Sequence, residues 1–154
     1  MPVAFDTNLL VYAFDAGAGL RQELAYELLE DVLSGKIRLF ITTQIVSEFF
    51  VNITAEKKRA AVENPLSVSE AEGTIKDILS LPNVSLAELN FSTIFAALSL
   101  KKVAKASYWD CLIAATMKEN GVTTIYTEDK EFEKIEGIKV VNPFVKKKSG
   151  SQPT

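Results

Sequence analysis

Histidine is absent from the 154 residues of this chain, and cysteine occurs once, as Cys111. Without histidine there is no imidazole base, no Ser-His-Asp or Cys-His catalytic arrangement and no haem histidine. The two scarcities together deny a structural zinc site or an iron–sulfur cluster its usual ligands. One cysteine cannot form an intramolecular disulfide, which fits a reducing compartment. Long apolar runs are missing as well. The longest uncharged stretch, Leu89–Leu100, has 12 residues and includes Asn90, Ser92 and Thr93, whereas a membrane-spanning helix needs about 20 apolar residues. The opening Met-Pro-Val-Ala-Phe leads straight to Asp6 without the basic and apolar parts of a secretion signal. The expectation is a cytoplasmic protein with no membrane partner, whose polar chemistry rests on carboxylates, hydroxyls, amides and lysines.

What is present alternates between strand and helix periodicity. Val3-Ala4-Phe5 reads as a buried strand ending at Asp6, and Leu9–Phe14 as a short helix. Leu20, Leu24, Leu28, Leu29, Val32 and Leu33 share one helical face, stopped at Gly35. Ile37–Ile41 reads as a second strand. Thr42 or Thr43 caps the next helix, which carries Ile45, Val46, Phe49, Phe50 and Ile53 and continues through Glu56-Lys57-Lys58-Arg59 towards Pro65. Ser67 with Glu70, or Ser69 with Glu72, has capping-box spacing ahead of Ile75, Ile78 and Leu79. Val84–Leu89 is a third strand candidate. Asn90 caps a helix with Ile94, Phe95, Leu98 and Val103 as its apolar positions, and another helix spans Trp109–Asn120, closed by Gly121. Thr123–Tyr126 and Ile138–Val141 complete five strands. The order predicts a single α/β domain over 1–145, with a central, mainly parallel sheet and helices on both faces. A disordered basic and polar tail is expected over 146–154.

In such a sheet the working site lies at the carboxyl ends of the strands. Four carboxylates interrupt apolar patterns near that edge. Asp6 ends the first strand and Asp129 follows the fourth. Glu48 and Asp110 sit early in helices, inside Val46-Ser47-Glu48-Phe49 and Trp109-Asp110-Cys111-Leu112. Singly, each has an ordinary explanation as a helix-start, solvated-edge or turn residue. Together, four carboxylates in one pocket cannot all stay ionised without a counter-charge. A hard divalent cation with oxygen ligands, Mg²⁺ or Mn²⁺, supplies it, and such an ion acidifies water for phosphodiester hydrolysis without a histidine. Thr7, Asn8 and Thr127 are the neighbours able to orient carboxylates or water.

The residues around these acids carry a resemblance. Ala4-Phe5-Asp6-Thr7-Asn8-Leu9-Leu10-Val11-Tyr12 resembles the opening motif of PIN-domain nucleases. Val46-Ser47-Glu48-Phe49 resembles their second acidic motif, and Trp109-Asp110-Cys111-Leu112-Ile113-Ala114-Ala115 their third. Tyr126-Thr127-Glu128-Asp129, with Ile138-Lys139-Val140-Val141-Asn142-Pro143-Phe144 behind it, resembles the closing motif and its strand. As one unit without an appended module, the chain looks most like the VapC-type toxins of toxin–antitoxin pairs. The resemblance implies a three-layer α/β/α fold of about five strands and an endoribonuclease dependent on Mg²⁺ or Mn²⁺. It also implies a homodimer and an inhibitory VapB-like antitoxin. It assigns metal and water to Asp6, Glu48 and Asp110, with Asp129 as the fourth acid and Glu128 as its alternative. The segment Lys57–Leu81 matches no motif and falls in the family's variable region.

The formal charge of −3 is unusual for a protein that meets RNA. Local basic clusters offset it. Lys101, Lys102 and Lys105, a few residues ahead of Asp110, are the favoured phosphate contacts, with Lys57-Lys58-Arg59 and Lys146-Lys147-Lys148 as further clusters. Tyr12, Phe14 and the Leu24–Leu29 face are candidates for a groove that takes an antitoxin segment. The competing reading is a catalytically weak or inactive binding module that keeps the fold and acts through a partner or RNA. A dinucleotide-binding domain is disfavoured, since no G-x-G-x-x-G follows the first strand.

Overall fold

Five short apolar runs pair into one sheet. In the computed structural model, which describes residues 1–55, 62 and 64–145, they are β1 (Val3–Phe5), β2 (Leu39–Thr42), β3 (Val84–Ala87), β4 (Thr124–Tyr126) and β5 (Lys139–Val141). Every neighbouring pair is parallel, and the strand order is β3-β2-β1-β4-β5. All four β2 residues are buried, as expected of a strand covered on both faces. Edge strands β3 and β5 are mostly half-buried or exposed.

Six helices cover the sheet: α1 (Thr7–Phe14), α2 (Leu20–Leu33), α3 (Thr43–Ile53), α4 (Val68–Leu79), α5 (Phe91–Val103) and α6 (Tyr108–Glu119). Right-handed crossovers send α1–α4 to one face and α5–α6 to the other. The packing agrees, since α1 touches α2 and α3, α3 touches α4, and α5 touches α6. Short 3₁₀ turns at Ala16–Ala18 and Lys130–Lys134, which periodicity cannot register, complete the fold. No described helix is long and apolar enough to cross a membrane.

Caps fix the helix starts. Thr42 and Asn90 accept from the backbone N–H of Ile45 and Thr93. Of the two possible capping boxes, Ser67 with Glu70 is the one that forms. α3 stops earlier than expected. It ends at Ile53, with Ala55 at φ +53°, and Leu66 N–H returns to donate to the Ile53 carbonyl. Lys57, Lys58 and Arg59, and the whole 146–154 tail, lie outside the described residues.

Two apolar faces are oriented differently from the expectation. On α2, Leu20 and Leu33 are exposed, while Ala25, Leu29 and Val32 face the core. On α5, Phe95, Leu98 and Val103 are exposed, while Thr93 and Ala97 are fully buried against the rest of the protein. α6 packs closely on α5, and only small side chains leave room for two backbones at that distance. α6 itself is buried from Cys111 through Met117, a continuous core helix. Its first turn is where a polar side chain can emerge, and Asp110 stands there.

Candidate active site: an acidic cluster at the switch point

Strand order reverses direction between β1 and β4, so their carboxyl ends flank a crevice. Asp6 leaves β1 there and is buried. Its Oδ1 accepts from Thr7 N–H at 2.8 Å and its Oδ2 from the Thr127 hydroxyl at 2.7 Å. The Thr127 hydroxyl in turn accepts from Asp129 N–H at 2.9 Å, which leaves its proton for Asp6. Thr127 thus ties β4 and the Asp129 turn to β1. Asp129 begins the second 3₁₀ turn, with Oδ1 accepting from Glu131 N–H at 2.9 Å.

Thr7 also reaches across the sheet. Its hydroxyl donates to Glu48 Oε2 at 2.8 Å, so one residue bridges the β1 acid and the α3 acid. Gln44, one helical turn before Glu48, donates from Nε2 to Glu48 Oε1 at 2.9 Å and to the Trp109 carbonyl at 3.2 Å. Gln44 therefore links α3 to the α6 start that carries Asp110. Ser107 caps α6, its hydroxyl accepting from Asp110 N–H at 3.1 Å.

Electrostatics show how crowded these acids are. Burial pushes the Asp6 carboxyl up, and the charges of Asp129 and Glu48 add to the push against hydrogen bonds from Thr127 and Thr7. The Asp110 carboxyl rises to about 6, first through burial, then through the charge of Asp129, with smaller contributions from Asp6 and Glu131. The four acids named from sequence therefore act on one another. Among the described residues, however, no group of three His, Cys, Asp or Glu side chains is arranged to hold an ion between them. The donor chemistry still fits a divalent cation. Every donor is a hard oxygen, two carboxyls are hindered from ionising alone, and Mg²⁺ commonly takes one or two carboxylates and keeps several waters.

Glu128 faces elsewhere. Its Oε1 accepts from the Tyr12 hydroxyl, and its Oε2 from Arg21 Nε and Nη2 at 3.2 and 3.1 Å. Arg21 also lies over the rings of Tyr12 and Phe144. Desolvation and the Glu128 carboxylate push the Tyr12 phenol up to about 12. Asn8 sits exposed on the first turn of α1, away from the hydrogen-bonded network. Lys101 Nζ donates to the Ala106 carbonyl at 2.8 Å, while Lys102 and Lys105 are exposed. Sequence reasoning missed Gln44, Ser107 and Arg21. Four-residue spacing from Glu48 and the Ser-x-x-Asp start of α6 signalled the first two. Arg21 and Glu128 meet across 107 residues, which no local pattern reveals.

A parallel α/β sheet with interacting carboxylates at its switch point defines a protein built around an acidic, hard-oxygen crevice. The chain belongs to the PIN domain family, whose profile matches residues 3–138. PIN-domain nucleases generally use a divalent metal. The chain is similar to Ribonuclease VapC48 of Mycobacterium tuberculosis, 25% identical over 147 residues that span 94% of this chain and 99% of that protein. Among solved structures, VapBC2 from Rickettsia felis, bound to a DNA fragment from its promoter, aligns with a TM-score of 0.63. The identity is 18%, over 92% of this chain and 98% of that one. VapC20 of Mycobacterium tuberculosis, a sarcin-ricin loop cleaving toxin, aligns with a TM-score of 0.61 and 17% identity, over 85% of this chain and 92% of that one. These likenesses agree with the three-layer parallel fold.

Proposed function

We propose that this PIN domain is an endoribonuclease dependent on Mg²⁺ or Mn²⁺, acting in the cytoplasm as the toxin of a toxin–antitoxin pair. The observation that carries the reading is the hydrogen-bonded network at the switch point, in which Thr7 bridges Asp6 and Glu48 while the charges of Asp129 and Glu48 press on Asp6, and those of Asp129 and Asp6 on Asp110. The cation, when bound, neutralises the phosphodiester and supplies an acidic water. Asp6, Glu48, Asp110 and Asp129 are the groups that would hold it. Thr7 and Thr127 fix the Asp6 and Glu48 oxygens so that their remaining lone pairs serve the ion. The engagement of Glu128 with Tyr12 and Arg21 supports Asp129 as the fourth acid. Exposed Lys102 and Lys105 take RNA phosphates, and Lys101 contributes its charge from a fixed position.

Two surfaces support the partners. Phe91, Phe95 and Leu98 form an exposed apolar patch on α5, and a second copy of the chain is the partner proposed for it. A hollow of about 400 Å³ between α2 and α4, lined in part by Phe14, Tyr26, Leu29 and Ile78, suits the apolar side of an antitoxin segment. The relatives named above, a VapC ribonuclease and a VapBC complex, support the same assignment. The test is RNA cleavage by the purified protein. Cleavage needs Mg²⁺ or Mn²⁺, stops with a chelator, and disappears in Asp6→Asn and Asp110→Asn. Undiminished cleavage in both variants rejects the proposal.

A further inference from the structure

A hollow of about 480 Å³ opens between α3 and the start of α6, within the size range of small-ligand sites. Gln44, Glu48 and Asn52 line it at four-residue intervals along α3, with Ser47 and Val51 between them. Its opposite wall is the indole of Trp109, which is 61% exposed. An exposed tryptophan beside a crevice is a large apolar surface left for a ligand. The hollow adjoins the acidic cluster at Glu48. Glu48 belongs to both, and Trp109 immediately precedes Asp110.

The polar wall has unspent capacity. Gln44 Nε2 is committed to Glu48 and the Trp109 carbonyl, while Gln44 Oε1 is closed to water and has no donor among the described residues. Gln44 therefore shapes the hollow by holding Glu48 and the start of α6, and the amide left to meet a ligand is that of Asn52, half-buried on the same wall. An indole face, an aliphatic wall at Val51 and the Asn52 amide at one edge together match a flat heterocycle with a polar rim. An apolar protein segment would leave that amide unused.

We infer that this hollow is a nucleobase subsite, in which an unpaired base of the RNA stacks on Trp109 and presents its polar edge to Asn52. The inference rests on the ribonuclease reading and deepens it: the acidic cluster, with its cation, would serve the phosphate, and α3 with Trp109 reads the neighbouring base. Sequence preference in cleavage then resides in Asn52, whereas Trp109 contributes affinity to any base.

Trp109 is the only tryptophan of the chain, so intrinsic fluorescence reports on this wall alone. The full-length protein is titrated in Ca²⁺ with short single-stranded oligoribonucleotides, and in parallel with an abasic ribose-phosphate oligomer of equal length. Saturable quenching by the first and none by the second is expected. In metal-dependent cleavage, Trp109→Ala raises KM about tenfold, as loss of one stacking contact does, with a smaller change in kcat, and Trp109→Phe recovers most of it. Asn52→Asp changes the preferred cleavage positions. Equal quenching by the abasic oligomer overturns the inference. So does quenching that follows protein concentration without RNA, which gives the hollow to a second copy, or quenching only by a co-purified protein partner. Quenching by bases without any metal-dependent cleavage sustains the subsite and rejects the ribonuclease reading; cleavage without quenching does the reverse.

Discussion

Asp110 stands half-buried at the start of α6, with the charges of Asp129, Asp6 and Glu131 around it, and its carboxyl rises from the usual 3.8 to about 6. The folded protein therefore holds a proton there that the unfolded chain has already released. Between those two values stability falls as pH rises, and the penalty persists above pH 6. After solvent screening of a half-exposed group, it amounts to about 1 kcal/mol. Asp110→Asn should raise the melting temperature of the metal-free protein at pH 7 by about 2–4 °C, and the gain should vanish near pH 4. Mn²⁺ should stabilise the wild type above pH 6 and leave the variant nearly unmoved. Calorimetric melts across pH check both, and a variant less stable than wild type at pH 7 contradicts the electrostatics. Glu128, next to Asp129, has the opposite environment. With its oxygens taken by Tyr12 and Arg21, Glu128→Gln should weaken Mn²⁺ binding less than about threefold. Asp129→Asn should weaken it by about tenfold or more. Equal losses in titration calorimetry would return the fourth position to Glu128.

At the scale of elements, the starts of helices were readable from sequence and the faces they bury were not. Thr42, Ser67 and Asn90 act as caps because a capping bond is local, made within three residues. Burial depends on the neighbour. Apolar spacing singled out Phe95, Leu98 and Val103 on α5, yet the face against α6 is Thr93 and Ala97. Close approach of two helices selects small residues, and hydrophobicity alone does not register them. The site divides along the same line. The four acids were legible because they break apolar runs, whereas the Thr7–Glu48 and Arg21–Glu128 bonds span 41 and 107 residues. Substitutions on α5 should rank accordingly. Ala97→Leu should cost about 1–3 kcal/mol by overpacking the α5–α6 seam. Phe95→Asp should leave the fold of the monomer intact while separating copies of the chain. Denaturant melts and sedimentation measure the two effects independently, and the reverse ranking would restore the face drawn from periodicity.

Over the whole molecule, topology and charge act together. Parallel strands with right-handed crossovers bring Asp6 from the beginning of the chain and Asp129 from near its end to one edge of the sheet. The protein's formal charge is −3; counted formally, Asp6, Glu48, Asp110 and Asp129 contribute −4 and the remainder of the chain +1. A polyanion approaching the site without a cation meets this concentrated negative charge. For an ordinary basic RNA-binding surface, divalent cations compete for phosphate and weaken binding. Here the sign should invert. At fixed ionic strength, replacing K⁺ by Ca²⁺ should strengthen binding of a short oligoribonucleotide to the wild type, because the ion neutralises carboxylates before it competes for phosphate. Asp6→Asn and Asp110→Asn should each bind the oligomer more tightly than wild type in a chelator and gain less from Ca²⁺. Fluorescence anisotropy with labelled RNA reads both quantities. Binding that weakens with Ca²⁺ in all three proteins would place the RNA on the lysines of α5 and the following loop, away from the acidic crevice.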